Sequence, residues 1–405
     1  MAELLIHAGH NEHKTVAELL APRIFWASAR PITRLVVDAV TARGQDEYAR
    51  VASENGVPFL VDPMTSVLPH GAHEDNAWLR LPYANSAPTH PDSLLAAEAR
   101  ARLVREAVDL QVELGASMLI PPYFYATSSD DPWFGISRAA LIETARYAAQ
   151  AHPGMPIFPV FCGRIDHFGR APAWASGVDK FIETARHVGA DVVGMSLSPV
   201  GNSTSDKYEK VLRYLDTLTH ARRLGIRVVA WKQGIFGAAA VAAGIDGYST
   251  GMGKLEATKA ADDARSKTKP PGGPGAYRGL YLDTLGHSVP FRAGEVLLSD
   301  QRIRPLIMCE DEGCCASWSN SLDKPLEHAV RSRARQLAVL RGQPHAPWRL
   351  THVVQHAVTA VNVAKQANEV LEQAGEKFRI KTVQLEALRD VAEHLRRSWT
   401  RSASA

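Results

Sequence analysis

The sequence predicts an α/β protein whose main part is a (β/α)8 barrel of the TIM type. Short apolar segments, typical of parallel strands buried on both faces, recur eight times in the first 250 residues. Helical segments separate them, and three of these helices end at a glycine shortly before the next strand, at Gly115, Gly189 and Gly225. No GxGxxG motif follows the first strand, so a doubly wound open sheet is the less favoured alternative.

The alternation of strands and helices gives the bounds of the predicted elements and divides the chain into three predicted parts. The predicted strands are Leu4–His7, Arg23–Ser28, Phe59–Asp62, Met118–Pro121, Ile157–Phe161, Val192–Leu197, Val228–Lys232 and Ile245–Ser249. The main predicted helices are Ser93–Leu114, Val178–Val188, Lys207–Leu224, Leu326–Leu340, Thr351–Gln373 and Thr382–Trp399, with β-like pieces at Leu280–Leu282 and Glu295–Leu298. We expect a barrel body over 1–262, a flexible Gly/Pro/basic loop over 263–279, and a C-terminal part over 280–405.

Composition narrows the class of protein. Of 405 residues, 45% are hydrophobic and 22% are charged, which excludes a disordered or fibrous chain. The mean hydropathy is −0.16 and no long uncharged apolar run occurs, so no membrane span is expected. The N-terminus does not resemble a secretory signal, and four cysteines do not make a disulfide scaffold. We therefore expect a cytoplasmic protein.

Charge is concentrated near the C-terminus. The segment from Asn320 to Ala405 holds 14 Lys/Arg against 8 Asp/Glu, an excess of six positive charges. This fits a surface that faces a polyanion, with Arg331, Arg333 and Arg335 as phosphate contacts. An ordinary solvated helical surface explains the same excess.

A tight cysteine cluster indicates a metal centre. Cys309, Cys314 and Cys315 fall within seven residues, and closed structural zinc sites use four thiolate or imidazole ligands. The downstream histidines are His328, His345, His352 and His356, and of these His352, which begins a predicted helical segment, is the expected fourth ligand. The alternative is that one of the adjacent cysteines is a bystander, or that all three thiols are incidental.

Two strand ends carry candidate catalytic or binding groups. Asp62 closes a predicted strand, and barrel active sites lie at the carboxyl ends of the strands. A carboxylate there acts as base or nucleophile, whereas a helix-capping Asp is the structural alternative. The Gly-rich turn that ends at Lys254 follows the last predicted strand and suits a phosphate, although such turns also occur for packing alone.

The order of these features resembles the tRNA-guanine transglycosylase superfamily, which consists of zinc-bearing (β/α)8 barrels. The resemblance rests on five stretches in family order: 59–66 (FLVDPMTS), 193–201 (VGMSLSPVG), 240–250 (AVAAGIDGYST), Arg304-Pro-Leu before Cys309, and Arg349-Leu-Thr-His352. It implies a catalytic Asp62, a base-recognition turn with Gly194 and Ser196, and structural Zn²⁺ on Cys309, Cys314, Cys315 and His352. The position of the family's nucleophilic Asp falls on Ser249, and the zinc loop reads C-x4-C-C instead of C-x-C-x-x-C.

The resemblance implies exchange of guanine for a modified, 7-deazaguanine-type base in tRNA or DNA. Two other functions stay open at this point. One is a metabolic barrel enzyme that holds a phosphate or nucleotide near Lys254. The other is a catalytically inactive nucleic-acid-binding relative, which Ser249 suggests. No organic cofactor and no membrane partner are expected, and the oligomeric state, a homodimer included, is left open.

Overall fold

A curled parallel sheet forms the centre of the molecule. The computed structural model describes residues 2–21, 32–170, 172, 177–201, 207–252, 256–257, 260–269, 279–315 and 317–403, without the side chains of 261 and 400–403. Within these ranges the parallel strands are β1 Glu3–Ala8, β2 Arg34–Asp38, β3 Phe59–Asp62, β4 Val160–Arg164, β5 Val192–Ser198, β6 Arg227–Ala230 and β7 Gly247–Gly251.

The sheet closes on itself through a short eighth segment. Its order is β3-β2-β1-β7-β6-β5-β4. Isolated parallel bridges join Leu60 of β3 to Met118, and Leu119 to Ile157 just before β4. The two edge strands are therefore linked through residues 118–119, and the architecture is the TIM-type α/β barrel that the sequence predicts.

Helices surround the barrel and continue beyond it. In chain order they are His13–Leu20, Ala39–Gly44, Glu47–Glu54, Pro91–Leu95, Ala97–Glu113, Pro132–Ala151, Ile165–Phe168, Val178–His187, Tyr208–Arg223, Gly237–Ala242, Ala260–Ser266, Phe291–Ser299, Arg304–Ile307, Asn320–Asp323, Pro325–Gly342, Ala346–Gln373 and Val383–Ala403. Short 3-10 turns cover Thr65–Val67, Ala77–Arg80 and Asp283–Leu285. An antiparallel hairpin pairs β8 Gly279–Leu282 with β9 His287–Pro290.

Four predicted elements differ from the structure or lie outside its described part. The predicted strand Arg23–Ser28 lies outside the described residues, and β2 was not among the predicted strands. The predicted strand Met118–Pro121 is reduced to isolated bridges. Glu295–Leu298 is part of a helix rather than a strand, because its apolar residues pack at helical spacing on the C-terminal core. The predicted flexible loop 263–279 begins inside the helix Ala260–Ser266.

The C-terminal helices share the core of the barrel. Val330, Leu337 and Leu340 of the helix Pro325–Gly342 belong to the apolar cluster that the barrel helices form. In the same helix, fully buried Arg333 pairs with Glu256 and stacks over the Tyr281 ring at 4.1 Å from its centroid. Apolar burial and an ion pair therefore join the C-terminal part to the barrel.

Within the described ranges, no helix is both long enough and apolar enough to span a membrane.

Candidate active site and metal centre

The alternation of side chains along the strands builds a polar layer at one end of the barrel. Apolar residues such as Leu5, Leu60 and Val160 fill the interior. Two positions further along their strands, the same face carries His7, Asp62 and Cys162, since residues i and i+2 point to one side. In a parallel barrel these positions lie together at the carboxyl ends, where active sites form.

These polar groups line an inner cavity of about 250 Å³. Its walls are formed by strand-end residues and its roof by the helix Ala260–Ser266 and the residue that follows it. The chemically functional lining residues are His7, Asp38, Asp62, Tyr123, Cys162, Ser196, Lys232, Asp263 and Lys267. The cavity holds both acceptors and donors, so it suits a small polar molecule.

Asp62 is the central acceptor of the cavity. Its residue surface is 2% exposed, and both carboxylate oxygens accept the Tyr123 hydroxyl at 3.0 Å. The Met64 backbone N–H donates to Oδ1 at 3.0 Å, and the Lys232 ammonium lies 3.5 Å from Oδ2. Two hydrogen-bond donors and one cation therefore surround this buried carboxyl group. The strand-end position that the sequence predicts for Asp62 is the position in the structure.

Lys232 is a candidate functional residue that the sequence analysis did not identify. It follows Trp231 after β6, and its backbone has a φ of 55°, the left-handed region that a residue with a side chain rarely adopts. Burial acts to lower the pKa of Lys232, but nearby Asp62 and Asp263 outweigh it and raise the pKa, so the amine is charged. The sequence did carry a signal for Lys232: it is a charged residue at the end of the predicted strand Val228–Lys232, as Asp62 is at the end of Phe59–Asp62.

His7 and Cys162 are neutral at the same mouth. Burial, reinforced by the Lys232 charge, lowers the pKa of His7 well below its ordinary value. The His7 ring meets the Trp231 ring edge-on, with centroids 4.7 Å apart. Burial raises the pKa of Cys162 to about 12, so this thiol is not an activated nucleophile.

Of the other residues predicted to contact substrate, Ser196, Gly194 and Lys254, only Ser196 is found at the inner cavity in the described part of the chain. Ser196 lines the cavity. Gly194 lies two residues deeper in β5, where an added Cβ would come within 3.0 Å of both Phe158 and Trp231, so its role there is close packing. Lys254 lies outside the described residues.

Ser249 is placed where it orders other groups instead of facing the cavity. It is fully buried, and its hydroxyl accepts the Lys232 backbone N–H at 2.7 Å. The same oxygen lies 2.9 Å from Nε2 of His7, and the Ser249 carbonyl accepts the Gln233 N–H at 2.7 Å. These contacts hold the left-handed turn at Lys232 and the His7 ring.

A wider groove of about 540 Å³ includes Ser66, which also lines the inner cavity. Its wall combines the aromatic rings of Tyr125 and Trp133 with charges of both signs. Arg164 lies 3.5 Å from Asp166, and Arg265 lies 3.2 Å from Asp262. The groove is therefore not a simple anion-binding surface.

The cysteine cluster gathers around a histidine. Ligand atoms of Cys309, Cys314, Cys315 and His328 all lie within 4.8 Å of one another. Nδ1 of His328 is 3.4 Å from the Cys314 sulfur and 3.5 Å from the Cys315 sulfur, and the two sulfurs are 3.8 Å apart. The group is one that could hold a metal ion.

The expectation of His352 as the fourth group of this cluster is wrong. His328 lies in the first turn of the helix Pro325–Gly342, which follows the cysteine loop closely in the chain and packs against it. His352 instead lines a small apolar cavity with Gly234 and His356, between the barrel and the C-terminal helices. His328, which is nearer in the chain, reaches the cysteines because the chain turns back directly after the cysteine loop.

The arginines predicted to contact phosphate also support this loop or the core. Arg331 pairs with Glu327 and donates to the Gly313 carbonyl at 2.6 Å. Arg335 pairs with Asp283 and lies 3.5 Å from Asp311. His328, Arg331 and Arg335 are spaced at i, i+3 and i+7, so one helix face meets the cysteine loop. With Arg331 and Arg333 buried in ion pairs, the predicted phosphate-binding role of these residues is not supported by their positions.

Comparison with known proteins adds only distant similarities. No protein-family model and no curated protein matches the sequence. Among solved structures, a thiamine phosphate pyrophosphorylase from Pyrococcus furiosus is similar with 11% identity and a TM-score of 0.31, over 65% of this chain and 92% of that one. A type I 3-dehydroquinate dehydratase from Clostridium difficile has 10% identity and a TM-score of 0.36, over 65% and 90%. The carboxyl transferase domain of Rhizobium etli pyruvate carboxylase has 14% identity and a TM-score of 0.36, over 98% and 61%. Similarities at this level carry no inference about activity.

Proposed function

We propose that this chain is an enzyme whose active site is the inner cavity at the carboxyl end of the barrel, and that it performs acid–base chemistry on a small carbonyl compound. The observation that carries the proposal is the ion pair of buried Asp62 and partly buried Lys232, 3.5 Å apart in that cavity. The Asp62 carboxylate is the base, and the Lys232 ammonium stabilises negative charge that develops on the carbonyl oxygen.

The size and charge of the cavity favour a small substrate. A volume of about 250 Å³ lies below the usual range for sites that bury drug-sized ligands, roughly 300–1,000 Å³. Three carboxylates, from Asp38, Asp62 and Asp263, face two lysines, Lys232 and Lys267. A strongly anionic ligand would meet repulsion from the carboxylates, so a neutral or singly charged carbonyl compound fits better.

Solvent deuterium exchange tests this proposal through the proton-transfer step alone, whatever reaction follows it. The protein is incubated in D₂O with a panel of 2-oxo acids and ketoses, and incorporation at the carbon next to the carbonyl is measured by mass spectrometry. We expect at least one compound to exchange, and Asp62→Asn to slow that exchange by roughly 10²–10⁴-fold. A panel without wild-type exchange above the buffer rate would count against the proposal.

A second candidate function is base exchange on tRNA or DNA, as the sequence resemblance implies. The observation that favours it is that Asp62 and Ser196 line one cavity while a separate Cys/His group lies in the C-terminal part. Guanine also presents a ring carbonyl to such a site, and the target base would have to leave the stack to reach it. Asp62 would then be the nucleophile, because Ser249 is fully buried and does not line the cavity. Incorporation of labelled guanine into tRNA or duplex DNA, absent in Asp62→Asn, is the test.

We also propose that the cysteine cluster holds a structural zinc ion through Cys309, Cys314, Cys315 and His328. Tetrahedral zinc with Zn–S near 2.3 Å and Zn–N near 2.0–2.1 Å needs ligand separations of about 3.8 Å for S···S and about 3.6 Å for S···N. The separations of 3.8, 3.4 and 3.5 Å fit these values. Nε2 of His328 donates to the Tyr281 carbonyl at 3.0 Å, which leaves the Nδ1 lone pair directed at the sulfurs.

A further inference from the structure

The hydrogen bonds around Ser249 determine which ring nitrogen of His7 carries the proton. The backbone N–H of Lys232 can only donate, and it donates to the Ser249 oxygen at 2.7 Å. Nε2 of His7 lies 2.9 Å from the same oxygen. A hydroxyl has one hydrogen, so the question is whether Ser249 donates it to His7 or accepts a second hydrogen from His7.

Burial decides between the two arrangements. Ser249 is fully buried, and within the described part of the chain Nε2 of His7 is the one acceptor that its hydroxyl contacts. If His7 donated from Nε2, the Ser249 hydrogen would be left without a partner in the core, which is costly. Ser249 therefore donates to Nε2, and in a neutral imidazole the remaining proton is then on Nδ1.

The Nδ1 side of His7 is the side available to a ligand. His7 lines the inner cavity together with Asp62 and Lys232. The perpendicular contact with Trp231 and the bond from Ser249 hold the ring in one orientation. Because Ser249 occupies Nε2, a substrate atom in the cavity would meet the ring at its Nδ1–H.

We propose that Ser249 is a positioning residue that keeps neutral His7 in the Nδ1–H form, so that His7 donates a hydrogen bond to the substrate's carbonyl oxygen beside the Lys232 ammonium. This inference rests on the proposed function and specifies its substrate class. Two donors on one oxygen suit a carbonyl compound that becomes an enolate, because both bonds strengthen as the oxygen gains charge. A neutral donor also avoids placing a second cation next to Lys232.

Nitrogen NMR reads the tautomer directly. The protein is labelled with ¹⁵N-histidine, and the His7 signals among the 16 histidines are assigned by their loss in His7→Gln. We expect wild-type His7 to show a protonated Nδ1 and an unprotonated Nε2 near neutral pH. A protonated Nε2 would overturn the proposal. This measurement needs no turnover, so it succeeds or fails separately from the deuterium-exchange test of the proposed function.

Variants at Ser249 then test the positioning role. In Ser249→Ala the preference for Nδ1–H should be lost and both tautomers should appear, whereas Ser249→Thr keeps the hydroxyl and should keep the preference. Thr217→Val, which removes a buried hydroxyl bonded to the Arg213 carbonyl, is the matched control and should leave the His7 signals unchanged. An unchanged tautomer in Ser249→Ala would remove Ser249 from this role. If Ser249→Ala does not fold, the wild-type spectrum together with Ser249→Thr still decides.

Discussion

At the scale of single residues, the site depends on a charge pair inside the barrel mouth. The Lys232 side chain is 21% exposed and that of Asp62 is 3% exposed, so water screens the pair only in part. Each partner makes the burial of the other tolerable, because an isolated buried charge is costly. The same pair that supplies the proposed chemistry therefore contributes to the stability of the mouth.

Removal of the Lys232 charge should affect both stability and activity. Lys232→Met leaves the buried Asp62 carboxylate without its cation and removes the donor that stabilises charge on the substrate oxygen. We expect the free energy of unfolding to fall by about 1–3 kcal/mol, below the 3–5 kcal/mol of a fully buried pair. Deuterium exchange should slow by roughly 10²-fold or more. Denaturant titration measures the stability and the deuterium-exchange assay measures the activity. Lys365 is exposed, so Lys365→Met is the control. Equal free energies of unfolding for the two variants would contradict the expectation.

The buried His7 should make the protein less stable as the pH falls below about 6.5, the pKa of an ordinary histidine. Its pKa is lowered in the folded state by burial and by Lys232, so the unfolded chain binds a proton at this residue first as the pH falls. The contribution of His7 to stability is therefore fully present above the pKa of histidine in the unfolded chain, near 6.5. It is lost as the pH falls below that value, by at most about 1.4 kcal/mol per pH unit. The difference in unfolding free energy between wild type and His7→Gln, measured from pH 8 to pH 5, isolates this contribution. A difference that is constant over that range would show that His7 titrates normally.

At the scale of elements, the helix Pro325–Gly342 serves two sides of the molecule. One face brings His328, Arg331 and Arg335 to the cysteine loop, and the opposite side buries Arg333 against Glu256 and Tyr281. Arg331, Arg333 and Arg335 of this helix are thus paired with carboxylates of the protein itself. The helix therefore supports the cysteine loop structurally.

The metal centre gives a prediction that separates two histidines. Freshly purified protein should hold about one zinc per chain. His328→Ala and Cys309→Ser should lower both the zinc content and the melting temperature, because structural zinc is coupled to folding. His352→Ala should retain the metal. Elemental analysis of the three variants tests the assignment, which would fail if His352→Ala lost zinc and His328→Ala did not.

At the scale of the whole molecule, the C-terminal part is connected to the loop that carries Lys232. Arg333 pairs with Glu256, whose side chain also accepts the Ser288 hydroxyl at 2.7 Å. The Glu256 carbonyl accepts the Gly234 N–H at 2.9 Å, two residues after Lys232. A continuous set of contacts therefore runs from the C-terminal helix to the barrel mouth.

Arg333 should accordingly matter more for stability than for nucleic-acid binding. Arg333→Met removes a fully buried charge and leaves Glu256 without it, which should lower the unfolding free energy by about 3–5 kcal/mol. Filter binding of tRNA and duplex DNA over a salt titration should keep the same slope in this variant, since a buried arginine releases no phosphate counterion. A flatter slope with unchanged stability would restore the phosphate-contact interpretation.

Much of the fold could be predicted because its signals are local. Apolar segments such as Phe59–Asp62 and Val192–Leu197 give strands within one or two residues of the observed bounds. Asp62 was found because a strand end in a barrel already has a defined place. The segment Glu295–Leu298 was misassigned because a short apolar run has no period that distinguishes strand from helix.

By itself, the sequence determined the barrel class, the position of Asp62 at its mouth and the presence of a cysteine cluster, since each depends on neighbours within a few residues. The tertiary structure alone decided the partners. His7 meets Ser249 across 242 residues, and Asp62 meets Lys232 across 170. The choice of His328 over His352 likewise follows from how the helix after the loop packs. Such contacts depend on the closure of the barrel and the docking of the C-terminal helices, which bring together side chains that no local pattern relates.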